Sequence, residues 1–429
     1  MTDAVTEPVS RPADAVIGAV WRIESAKIVA GVARLVRDIG LAEELAGDAL
    51  VAALEHWPAS GVPDNPGAWL MRTAKNGALD YLRREKSLRE KTTQIAHDLE
   101  AMEAHVVPDF VDELDARREP VQDDLLRLMF TACHPVLPTE ARVALTLKLL
   151  GGLSTGEIAR AFLVPEPTIA QRIVRAKRTL GQAGVPFELP PAAELAERLG
   201  SVLEVVYLIF NEGYTATSGG DWMRPALQDE ALRLGRMLAQ LAPCEPEAQG
   251  LVALMELQAS RAAARVDREG RPVLLLEQDR LRWDGILIRR GLSALARAEL
   301  LGPSGPYALQ AAIAACHARA RTAGDTDWAR IAALYGELAR VSPSPVVELN
   351  RAVAVGMAEG PAAGLALVDA LAGDGALARY QWLPAVRGDL LEKLGRRAEA
   401  STEFARAAQM ASNARERALL EERARANSP

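Results

Sequence analysis

Two short helical segments, punctuated by prolines between Thr155 and Leu180, constrain this chain more than any other feature. Ser154 or Thr155 supplies a helix N-cap, Glu157 falls in the first turn, and the buried face runs through Ile158, Ala159 and Phe162. Pro165 stops that helix. Pro167 sits near the first turn of a second helix, where proline is tolerated, and that helix continues through Leu180. Its apolar positions Ile169, Ile173, Ala176 and Leu180 recur at helical spacing and face the first helix. The other face keeps Thr168, Gln171, Arg172, Arg175 and Arg178. These are the residue types of a DNA-reading helix-turn-helix, because Arg forks onto guanine, Gln pairs with adenine, and further cations meet phosphate. An ordinary amphipathic helix with a solvated basic face has the same spacing.

A second basic island lies far upstream. Trp69 to Lys91 holds seven Lys and Arg (Arg72, Lys75, Arg83, Arg84, Lys86, Arg89, Lys91) against Asp80, Glu85 and Glu90, in a chain whose net charge is −7. Two basic islands in an acidic protein imply two local contacts with a polyanion, and the acidic balance excludes a nonspecific nucleic-acid coat. With 429 residues and 49% hydrophobic content, two or three domains can each bury a core. Ala and Leu dominate, and runs of β-branched residues are few, which predicts an all-α fold.

The first fourteen residues read as a loose tail, and no apolar run reaches the roughly 20 residues needed to span a bilayer. The expectation is a cytoplasmic protein with no membrane contact. Cys133, Cys244 and Cys316 then read as free thiols. The adjacent pairs Cys133-His134 and Cys316-His317 lack zinc-ligand spacing, because neighbours on a helix point apart, so no metal is expected.

Residues 15–91 form one helical unit, with apolar positions at Ala46, Leu50, Ala53, Leu54 and Trp57 and a loop at Pro58 to Gly67 (PASGVPDNPG). Residues 92–120 are acidic and read as a solvated linker. A second unit spans 121–184 and contains the helix-turn-helix; Val185 to Pro191 closes it. Residues 185–305 are helical, and 306–429 read as stacked helical hairpins. There, Leu394 to Ala408 has the spacing of a tetratricopeptide half-repeat, with a weaker copy upstream.

These segments resemble a known family. Asp38 to Leu50 (DIGLAEELAGDAL), Asn65 to Leu70 (NPGAWL), Asp80 to Arg84 (DYLRR) and the helix-turn-helix look like regions 2 and 4 of an extracytoplasmic-function (ECF) RNA polymerase sigma factor. Ile209 to Tyr214 (IFNEGY), Gln278 to Asp284 (QDRLRWD) and Ser344 to Ala352 (SPVVELNRA) resemble the long extension of the ECF group numbered 42, which ends in tetratricopeptide-like repeats.

The resemblance implies two small helical sigma domains followed by a repeat domain, with core RNA polymerase and promoter DNA as partners. Asp38, Glu43, Glu44 and Asp48 would dock on polymerase. Asp64, Asn65, Trp69, Lys75, Asn76, Arg83 and Arg84 would hold the −10 element, and the helix from Pro167 would read the −35 element. Trp69 reads first as core and second as a base platform. The acidic linker would thread the RNA exit path, and the repeats would offer a surface to a protein or peptide partner.

The resemblance implies neither a cofactor nor catalysis. Glu212 stands beside Gly213 with no His, Cys or Lys nearby, and the polar cluster Arg280, Arg282, Trp283 and Asp284 is scattered. The alternative function is a one-component helix-turn-helix regulator with a repeat domain as its sensor.

Overall fold

Alanine positions spaced three or four apart bring the first helices close together. In the computed structural model, which describes residues 12–97, 121–162, 164–191, 193–215, 223–269, 271–373, 377–378 and 380–428, helices α1 (Pro12–Val36), α2 (Ile39–Ser60) and α3 (Pro66–His97) pack on one another. Ala30, Ala33, Ala42, Ala46, Ala53, Ala74 and Ala78 line their shared core with Trp57 and Leu70. The fold is all-α: the described residues form helices and no strand, and an isolated bridge pairs Val266 with Pro272.

Four local expectations change. Helix α1 begins at Pro12, inside the stretch read as a tail. Leu54 is exposed and Leu50 half-buried, because the core stripe runs through Ala42, Ala46, Ala49, Ala53 and Trp57 instead. The loop shrinks to residues 61–65: Pro58 sits in the last turn of α2 on an exposed face, where the hydrogen bond it cannot donate goes unmissed. Gly61, at φ 83°, ends the helix, and its amide donates to the Trp57 carbonyl at 3.0 Å. Helix α3 runs on to His97, into the segment read as linker; residues 1–11 and 98–120 lie outside the described residues.

Helices α4 (Val121–Ala132), α5 (Thr139–Leu149), α6 (Thr155–Phe162) and α7 (Glu166–Gln182) follow. The chain divides into two compact units at Val205, within α8 (Leu195–Tyr214). The first unit takes in the early part of α8 because the buried Arg142 is satisfied there: its guanidinium donates to the Ser201 hydroxyl at 2.5 Å and the Glu204 carboxylate at 3.1 Å, while Arg198 donates to the Phe130 carbonyl at 2.8 Å.

In the second unit α10 (Pro246–Ala259) is buried along nearly its whole length, covered by α9 (Pro225–Leu241), α11 (Gly285–Leu301) and α12 (Pro306–Arg319). Gly213 permits the approach of α9, since a Cβ there would lie 2.4 Å from the Gln228 amide nitrogen. Helices α13 (Trp328–Val341), α14 (Pro345–Ala358), α15 (Pro361–Gly373), α16 (Trp382–Lys393), α17 (Arg397–Met410) and α18 (Ala414–Ala426) then stack, each on the one before.

Candidate nucleic-acid interface

Reciprocal capping sets the start of the helix-turn-helix. The Glu157 amide donates to Ser154 Oγ at 3.2 Å, and the Ser154 amide donates back to the Glu157 carboxylate at 2.8 Å. Ile158 and Ala159 are buried, Phe162 only half so. Helix α7 has Pro165 as its N-cap and Pro167 in its first turn, and it buries Ile169, Ile173, Ala176 and Leu180. Each such isoleucine or leucine contributes about 1.5–3 kcal/mol, which holds the helix in one rotation about its axis. That rotation leaves Gln171, Arg175 and Arg178 exposed and Thr168 and Arg172 half-buried. Among the described residues no carboxylate pairs with Arg172, Arg175 or Arg178.

The upstream island is equally open. Asp64, Asn65, Asn76, Arg83 and Arg84 are exposed and Lys75 is half-buried on one long helix and its entry. Asn65 also caps α3, its side-chain oxygen accepting from the Ala68 amide at 3.0 Å. Arg83 lies 3.4 Å from Asp80. Trp69 is half-buried and meets Trp57 edge-on, ring centroids 5.4 Å apart, so its ring braces α3 against α2.

The acidic candidates divide into three kinds. Asp38 is the N-cap of α2, its carboxylate accepting from the Gly40 and Leu41 amides at 2.7 and 2.9 Å. Glu43 is occupied by two lysines, Lys148 of α5 at 3.6 Å and Lys177 of α7. Glu44 and Asp48 are exposed, one helical turn apart.

Sequence reasoning missed the lysine pair and two further links between these helices: Arg34 to Asp124 at 3.5 Å and Arg22 to Glu157 at 2.7 Å. Burial alone would raise the Glu157 carboxyl, but hydrogen bonds from Ser154 and the Arg22 guanidinium hold it below its ordinary value. No local signal marks these pairs, since each member is an ordinary charge on an amphipathic helix.

Several polar residues of the second unit make contacts that hold its helices and loops in place. Glu212 pairs with Arg224, and Asp284 caps α11 by accepting from the Ile286 and Leu287 amides at 2.7 and 3.1 Å. Arg265 stacks 3.5 Å over the Tyr214 ring, and Arg280 lies 4.8 Å over Trp283. Among the described residues no group of His, Cys, Asp and Glu is placed to hold a metal, and no helix is long and apolar enough to cross a membrane.

Two family models coincide with the two basic helical regions: Sigma-70 region 2 over residues 24–88 and Sigma-70 region 4 over residues 127–180. A family of unknown function (DUF6596) covers residues 198–299. Both sigma regions are present in order, and with the similarities below they support an ECF-type sigma factor.

The chain belongs to the family of "Uncharacterized protein R00370" of Rhizobium meliloti, to which it is 45% identical over 388 residues, 90% of each chain. It is 28% identical over 178 residues to "Probable ECF RNA polymerase sigma factor SigI" of Mycobacterium tuberculosis, a match covering 41% of this chain and 58% of that one. It is also 31% identical over 112 residues to "ECF RNA polymerase sigma-E factor" of Haemophilus influenzae, covering 26% and 58%. The chain therefore spans little more than half the length of these two sigma factors.

Proposed function

We propose that the chain directs core RNA polymerase to specific promoters and initiates transcription there, with no covalent chemistry of its own. The carrying observation is α7: a helix locked by four buried residues that leaves three arginines and a glutamine without carboxylate partners among the described residues, in a chain that also carries region 2. Thr168, Gln171, Arg172, Arg175 and Arg178 read the −35 element. Asp64, Asn65, Lys75, Asn76, Arg83 and Arg84 hold the −10 element, with Trp69 bracing the helix that carries them.

Glu44 and Asp48 are free to meet a basic surface of polymerase. Docking through Glu43 requires Lys148 and Lys177 to leave it, which couples polymerase binding to movement of α5 and α7 away from α2. Asp38 contributes chiefly by capping the docking helix.

The finer reading places the chain with the ECF group numbered 42, its tetratricopeptide-like extension regulating the sigma regions in cis and offering a surface to a protein or peptide. Two measurements test the whole. A gel-shift assay should show a promoter fragment retained by core polymerase only when this chain is present; tight promoter binding by the chain alone, unaffected by core, would mark an operator-binding regulator instead. Cis regulation predicts that residues 1–205, a compact unit, initiate at a different level from the full chain, and equal levels would exclude it.

A further inference from the structure

Inside the second unit a cavity of about 460 Å³ opens between the end of α10 and helices α12, α13 and α14, within the size range of small-molecule sites. Its composition is one-sided. Among the described residues Arg261 is the only charged one lining it, and no Asp or Glu does. Tyr207, Tyr335, Ile313 and Leu338 supply an apolar body, while Gln258 and Ser344 supply polar groups.

Arg261 carries the argument. Its Nη2 donates to the Tyr214 hydroxyl at 2.5 Å, and its guanidinium lies 5.9 Å from the Tyr214 ring centroid and 5.7 Å from that of Trp283. Among the described residues no carboxylate pairs with it. A positive charge held in place by aromatic rings, with no counter-ion, is arranged for an anion from outside.

Two neighbours point the same way. Arg280 adds positive potential behind the wall, its guanidinium spent on the His317 and Ala320 carbonyls and on Thr326 Oγ1 at 3.2 Å. Helix α14 begins on the rim at Ser344, where its N-terminal end adds the positive pole of its dipole. His317, on the same lining, is held neutral: burial, then Arg261 and Arg280, bring its pKa down to about 4, so it donates or accepts without competing as a cation. The Tyr335 hydroxyl, pushed up to about 12 chiefly by burial, keeps its proton as a donor.

We propose that this cavity binds a small organic carboxylate, its anionic end on Arg261 and its apolar body between Tyr207 and Tyr335. One uncompensated guanidinium matches a monoanion, and the tyrosine pair matches a flat or aliphatic body. The site stands on the second unit alone; only its effect on transcription rests on the function proposed above.

The test is saturation-transfer NMR on the full-length chain with benzoate, phenylacetate, 3-phenylpropionate and indole-3-acetate, each beside its primary amide. At least one carboxylate should bind while its amide does not. Arg261→Gln should then weaken that carboxylate at least about tenfold, as loss of a charge-assisted hydrogen bond does. Gln258→Leu and Tyr335→Phe leave Arg261 in place and should weaken it several-fold, which keeps the proposal testable if Arg261→Gln disturbs the fold. Absence of saturation transfer to all four carboxylates overturns the proposal, as does equal binding of acid and amide, or unchanged affinity in Gln258→Leu and Tyr335→Phe. Because polymerase takes no part, failure here is distinguishable from failure of the sigma reading.

Discussion

The two units hold their arginines in opposite ways. On α7 of the first unit, Arg175 and Arg178 project into solvent from a helix whose other face is locked by isoleucines. In the second unit, Arg261, Arg265 and Arg280 are drawn in and stacked on Tyr214 and Trp283, their N–H groups used by carbonyls and hydroxyls. An exposed, unneutralised guanidinium costs little and waits for a partner. A stacked one is part of the architecture, and in the acid-free cavity beside Arg261 it does both. The difference separates charges left open to a partner from charges that hold a fold together.

The largest expected effect breaks the first half of that comparison. Reversing Glu44 and Asp48 together to Lys should abolish co-purification with core polymerase while leaving the circular-dichroism spectrum unchanged, because both side chains are exposed. Retained binding at moderate salt would move the docking surface elsewhere.

Next is Arg265→Ala in the second unit. Arg265 is 7% exposed, and it donates to the Tyr214 carbonyl and to Thr215 Oγ1 at 2.8 Å. Losing these bonds and the stacked ring should cost about 3 kcal/mol of that unit's stability in urea unfolding. Arg175→Ala should instead leave unfolding unchanged and weaken promoter binding by about 1–3 kcal/mol, with Arg172→Ala acting alike, in fluorescence anisotropy. If Arg175→Ala destabilises and Arg265→Ala does not, the division between the two kinds of arginine is wrong.

The smallest effect concerns Arg22 and Glu157. Both are partly exposed, so Arg22→Ala should cost at most about 1 kcal/mol. The Glu157 pKa lies below its unfolded value, so the stability it contributes is present above the unfolded carboxylate range and is lost as pH falls through the folded pKa. An NMR titration should show that pKa moving back up in Arg22→Ala.

The parts legible in the sequence were those written locally. Ile169, Ile173, Ala176 and Leu180 repeat along one helix, so periodicity alone separates the buried face from Gln171 and Arg175. Leu54 misled because it is apolar and correctly spaced, while alanine allowed the closer approach that decided which stripe was buried. Glu43 with Lys148 and Lys177 was illegible, as was Tyr214 with Arg261, Arg265 and Trp283, because the members lie far apart in sequence and only packing brings them together. The NEGY stretch was visible but its meaning was not: Gly213 is there for the backbone of α9, and Glu212 for Arg224.

The central claim is that this chain supplies promoter recognition to polymerase by itself. Run-off transcription with purified core polymerase, the full-length chain and a library of promoter fragments, with no other sigma factor added, tests it most directly. The account predicts discrete promoter-dependent transcripts that require this chain and weaken with Arg172→Ala or Arg175→Ala. Transcripts that appear only when another sigma factor is supplied would contradict it.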